Sequence, residues 1–131
     1  MKALALLSHE NKKTDLVACA NFNRETLKYF RLAATATTGR LLKEQVGLAV
    51  DTVLSDPHGD DVQIAAEVGS GTIDAVFFFV DPLSAQPHDP DIQALIRPCS
   101  VHNIPLATNL VTADLLIAAM TAIGNPQMAA G

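Results

Sequence analysis

The chain has 131 residues with a formal net charge of -5, which suits one domain with a substantial core and is too short for two ordinary ones. Only 9 Lys and Arg stand against 14 Asp and Glu, with no basic cluster, which argues against a sequence-independent grip on nucleic acid or an anionic membrane. Any anionic ligand must be held locally.

Along the chain, short apolar runs alternate with longer amphipathic ones. The opening MKALALLSHENKK has an apolar run too short for a secretory leader and lacks a small-residue cleavage pattern. No stretch approaches the ~20 apolar residues of a transmembrane helix, so a cytoplasmic protein is expected. KALALL (2–7) reads as a strand, followed by a helix from about Asn11 to Tyr29. RLAAT (31–35) is the second strand and leads through ATTG into a helical RLLKEQV (40–46). VDTVL (50–54) is the third strand, and DVQIAAEV (61–68) the helix after it. DAVFFFV (74–80) is apolar at consecutive positions, as in a central strand covered on both faces. PDIQALIRPCSVH (90–102) contains a helix interrupted or bent near Pro98. PLATN (105–109) is the last strand, TADLLIAAMTAI (112–123) the last helix, and 124–131 a frayed tail beyond Gly124 and Pro126.

Repeated strand–helix alternation predicts a single doubly wound α/β domain over 1–131. Its sheet is expected to be five-stranded and mostly parallel, with helices on both faces. Cys19 and Cys99, far apart and in helical segments, read as free buried thiols of a reducing compartment. In such a sheet ligands bind beyond the carboxyl ends of the strands. The segments there are SHENKK, TATTG, SDPHGDD, DPLSAQPHDPD and TN, which hold three of the 4 His. His102, toward a helix end, reads as structural.

Each segment has its own chemistry. TATTG (35–39) places three hydroxyls and a glycine between strand and helix, where exposed amides and the helix dipole favour phosphate or carboxylate, though threonines also simply cap helices. Lys13, four residues after His9, offers a charge for a phosphate dianion or is a solvated lysine at a helix start. Asp60 and Gln63 have the spacing of a capping box. Asp61 then falls on the first helical turn, where a carboxylate facing the crevice is a candidate general base. In 81–91, Pro82, Pro87 and Pro90 restrict the positions of Asp81, His88 and Asp91, and a neutral His88 beside carboxylates can polarise a carbonyl or shuttle protons. A metal site is weakly indicated: no HxxxH, HxH or CxxC spacing occurs.

In order and spacing, HENKK (9–13), TATTG (35–39), SDPHGDD (55–61), DPL (81–83), PHDPD (87–91) and PLATN (105–109) resemble the motif set of the methylglyoxal synthase family over nearly the whole chain. The resemblance implies conversion of dihydroxyacetone phosphate to methylglyoxal and inorganic phosphate, with no metal or organic cofactor, by a homohexamer. Position by position it implies Asp61 as the base and His88 as the group bonding the carbonyl and enediol oxygens, supported by Asp81, Asp91 and His9. Lys13, Thr35, Thr37, Thr38 and Ser55 match phosphate-binding positions, and Asp56 stands where the family's Gly presents its backbone amide. Ala36 and Asp60 also replace family glycines, and the last arginine is Arg97, without the C-terminal arginine of longer relatives. A non-catalytic module of the same fold that senses a phosphorylated metabolite is the second reading, favoured by Asp56. A metal-dependent phosphatase-like enzyme is the third.

Overall fold

Six consecutive buried residues, Ala3–Ser8, form the first strand, β1. The computed structural model describes residues 2–54, 60–83 and 92–124, with side chains except at 52–54, 60–62 and 122–124. Around β1 lie β2 (Arg31–Thr35), β3 (Asp51–Leu54), β4 (Ala75–Phe79) and β5 (Leu106–Ala107), in the order β3-β2-β1-β4-β5. The pairings are parallel. Four strands of four to six residues carry the sheet, and β5 adds a pairing of 2 residues at the edge. The sheet expected to have five strands therefore has four of ordinary length and a fifth of only 2 residues. PLATN contributes so little because Asn109 is used instead to start the last helix: its Oδ1 accepts from the Thr112 amide at 3.0 Å.

The helices are α1 (Lys13–Phe22), α2 (Arg24–Leu27), α3 (Ala36–Gln45), α4 (Asp60–Gly69), α5 (Gln93–Val101) and α6 (Leu110–Gly124). From β1 the chain moves outward through β2 and β3, then crosses back to place β4 on the other side of β1. With right-handed crossovers, this reversal puts the first helices on one face and α4 and α5 on the other. The core divides accordingly. Leu4, Leu6, Phe77 and Phe79 pack with Leu16, Leu27, Leu42 and Ile117, while Ala5, Leu7, Val76 and Phe78 pack with Ile64, Val68, Leu95 and Cys99. Period-two alternation of side chains thus sends alternate apolar residues of β1 and β4 into two separate cores.

β4 is tied to β1 before their pairing begins. The Asp74 amide donates to the Ala3 carbonyl at 2.8 Å, and the Ala3 amide donates to Asp74 Oδ2 at 2.8 Å.

Three helical expectations change. The single helix over 11–29 is a 3-10 turn at Glu10–Lys12 followed by α1 and α2. The chain breaks at Asn23, whose amide group donates to the Cys19 carbonyl at 2.8 Å and to Asp114 Oδ1 of α6 at 2.9 Å. α3 begins at Ala36 rather than near Arg40, so most of TATTG is first helical turn. α5 runs through Pro98, because a proline this near the end removes one helical hydrogen bond and only a short stretch follows. Asn103, at φ 57°, then takes the left-handed position that ends it. The α3 C-terminus uses Gly47 (φ 79°) in the same way, with Arg24 Nε donating to the Val46 carbonyl at 2.7 Å.

Candidate active site

The reversal of strand order falls between β1 and β4, and an open parallel sheet forms a crevice at such a point. The segments leaving these two strands are joined there. The His9 amide donates to the Phe79 carbonyl at 2.9 Å, and the Asp81 amide donates to His9 Nδ1 at 3.0 Å. Because Nδ1 accepts, the neutral imidazole carries its proton on Nε2. The ring is buried and meets Phe78 edge-on, with centroids 5.3 Å apart. The Asp81 carboxylate is also engaged: Oδ2 accepts from Asn11 Nδ2 and Oδ1 from the Leu83 amide, each at 3.0 Å. Asn11 is a member of this cluster that the sequence reading passed over, although it lies inside SHENKK. On the far side of β4, the Val80 amide donates to the Thr108 carbonyl at 3.2 Å, which links the DPL and TN segments.

On the other flank of β1, Thr35 caps α3, its Oγ1 accepting from the Thr38 amide at 3.3 Å. Thr38 is buried and Thr37 exposed. The amides of Ala36 and Thr37 have no acceptor one turn earlier within the helix, as at any helix N-terminus, and the dipole there favours an anion. Lys13 opens α1 and lines a groove with Thr14, Val17, Leu41 and Gln45 against α3. Its Nζ lies 2.8 Å from Glu10 Oε2. His9 and Lys13 do not share a helical face, because His9 is extended and a 3-10 turn intervenes. Beyond the strand ends the imidazole Nε2–H and the first-turn amides of α3 are hydrogen-bond donors, while the Lys13 ammonium lies against Glu10, beside the middle and end of α3.

An MGS-like domain model matches residues 15–108. The chain belongs to the methylglyoxal synthase family. It is 53% identical over 118 residues to a methylglyoxal synthase of Thermus thermophilus, covering 90% of this chain and 94% of that protein. With a methylglyoxal synthase of Clostridium botulinum the identity is 51% over 114 residues, 87% of this chain and 96% of that protein. The crystal structure of methylglyoxal synthase from Elizabethkingia anophelis NUHP1 superposes with a TM-score of 0.84 at 41% identity, covering 97% of this chain and 80% of that one.

Of the methylglyoxal synthase motif residues, the structure brings His9 and Asp81 into direct contact and puts Thr35, Thr37 and Thr38 at the start of α3. Asp61 falls in the first turn of α4. The side chains of Asp60 and Asp61 are outside what is described, as are residues Ser55, Asp56, His88 and Asp91. Among the described residues no group of three or more His, Cys, Asp or Glu is gathered as a metal site would require, and no helix is long and apolar enough to cross a membrane. Both cysteines are free and buried. The Cys19 thiol is pushed up to about 12 by burial first and by the neighbouring Asp114 carboxylate second, and burial raises Cys99 as well.

Proposed function

We infer that the chain is a phosphate-eliminating lyase that converts dihydroxyacetone phosphate to methylglyoxal and inorganic phosphate. The observation that carries this reading is identity of 51–53% with proteins named methylglyoxal synthase over about nine-tenths of the chain. The joined ends of β1 and β4 beside the α3 N-terminus support it, since they offer donors for an oxyanion and for a phosphate.

In the proposed mechanism, Asp61 takes a proton from the carbon bearing the substrate hydroxyl, leaving an enediolate. Imidazole donors, His88 and the Nε2–H of His9, stabilise the negative oxygen where it develops. By way of His88 the hydroxyl proton passes to the neighbouring enediolate oxygen, the oxyanion left behind becomes the aldehyde carbonyl, and the π electrons shift toward the methylene carbon and expel phosphate by breaking its C–O bond. The remaining enol ketonises to methylglyoxal. The amides and hydroxyls of Thr35, Thr37 and Thr38, with Lys13 and Ser55, hold the phosphate dianion. Asp81 orients the loop after β4, and Asp91 supports His88. No metal or organic cofactor takes part. A cytoplasmic homohexamer belongs to the same reading, and sedimentation would test it. The sensing module has less support, since the matched relatives bear the name of an enzyme.

The test is incubation of purified protein with dihydroxyacetone phosphate, following methylglyoxal and phosphate together. Equal release of both is expected, insensitive to chelator and lost in Asp61→Asn. Binding without turnover would identify a sensor instead.

A further inference from the structure

Ser8 ends β1, is 7% exposed, and its Oγ has no hydrogen-bond partner among the described residues. An unpartnered buried hydroxyl destabilises a fold and therefore calls for an explanation. Its position supplies one. Side chains along β1 alternate between the two cores, with Leu4 and Leu6 on the face shared with Leu16 of α1 and Leu42 of α3. Two residues beyond Leu6, Ser8 points to that same face. The β1–β2 pairing sets Leu6 opposite Ala34. Carried forward by two residues, it puts Ser8 level with Ala36, the first residue of α3. The hydroxyl is thus on the face and at the height where α3 presents the amides of its first turn. The Thr35 hydroxyl has already taken the Thr38 amide there.

We propose that Ser8 is a further phosphate-binding residue, its hydroxyl donating to a non-bridging oxygen of a phosphoryl group seated on the N-terminus of α3. The site takes a phosphate monoester or orthophosphate. Among the described residues the buried hydroxyl has no partner, and the ligand supplies one. The inference rests on the function proposed above for the substrate, but not for the anion itself.

The experiment compares Ser8→Ala with the wild-type chain in orthophosphate titration by calorimetry, in dihydroxyacetone phosphate kinetics and in thermal melting without ligand. Orthophosphate affinity is expected to fall roughly ten-fold, as for loss of one hydrogen bond to a charged group, and KM to suffer more than kcat. The ligand-free melting temperature should hold or rise, because the variant removes an unsatisfied group. Unchanged orthophosphate affinity would overturn the proposal, and so would a lower ligand-free melting temperature, which would reveal a partner within the protein. Wild-type protein that binds orthophosphate but makes no methylglyoxal would defeat the proposed function while the titration still decides Ser8. Wild-type protein that does not bind orthophosphate would defeat both.

Discussion

The amide of Asp81 donates to Nδ1 of His9 at 3.0 Å and so ties the segment after β4 to the segment after β1. This bond fixes which imidazole nitrogen carries the proton in the neutral ring. His9→Leu removes the acceptor and leaves a partly buried amide unpaired, a loss of about 1–3 kcal/mol. His9→Asn keeps an acceptor at similar reach and should retain most of that stability, yet it removes the Nε2–H and should still lose turnover. Urea denaturation separates the two variants, and equal stabilities would show that the bond contributes nothing.

Thr35 has a capping role and a proposed binding role, and two substitutions split them. Thr35→Ala should cost about 1 kcal/mol through loss of the α3 cap and should also weaken phosphate binding. Thr35→Asp restores the cap and complements the helix dipole but sets a negative charge against a dianion. Its melting temperature should match wild type while KM rises at least ten-fold. A normal KM in Thr35→Asp would move the phosphate site away from α3.

Lys13 is paired with Glu10 at 2.8 Å, so a carboxylate competes with any phosphate for the ammonium group. In Glu10→Gln the competitor is neutral. Orthophosphate should inhibit this variant several-fold more strongly, and the difference should shrink as salt screens the charges. Lys13→Met should abolish the effect of the Glu10 change.

The Cys19 thiol holds its proton to about 12 in the folded chain, against an ordinary value of 9.0. Between those two values the folded state binds more protons than the unfolded state. The associated stability is therefore fully present below pH 9 and is lost as pH rises toward 12, at up to about 1.4 kcal/mol per pH unit. Cys19→Ala should flatten the alkaline limb of a stability–pH profile. In the native protein, iodoacetamide at pH 8 should leave Cys19 unmodified on the timescale that alkylates it in denaturant.

In SDPHGDD, Asp56 puts a carboxylate where the motif resemblance leads one to expect a glycine. Asp56→Gly should raise orthophosphate affinity, read from inhibition constants, because a like charge is removed from beside a dianion. An unchanged constant would mean that the carboxylate turns away from the ligand.

The α/β class and most elements were legible because their signals are local. RLAAT is the strand Arg31–Thr35 at its predicted bounds, and the consecutive apolar residues of DAVFFFV mark a strand buried on both faces, Ala75–Phe79. The break at Asn23 was not legible, since its cause is a contact with Asp114 at a sequence separation of 91. The same holds at the site. His9 and Asp81 were legible as residues, but their bond spans 72 positions and needs the strand order to bring it about. Ser8 was missed because a serine at a strand end is unremarkable until its hydroxyl is found enclosed. Asn11 was missed because asparagine in a turn is ordinarily explained by local geometry.

Three phenylalanines in a row make β4 tolerant of sliding. Moved by one position, the strand would still offer an aromatic ring to each core, so greasiness alone does not choose its alignment. The choice falls to the two reciprocal bonds between Ala3 and Asp74, at the edge of the molecule opposite His9. A slip there by a single residue would carry the Asp81 amide about 3.3 Å along the strand axis, out of reach of its imidazole. A carboxylate at the floor of the sheet thereby sets the alignment of the chemistry at its rim.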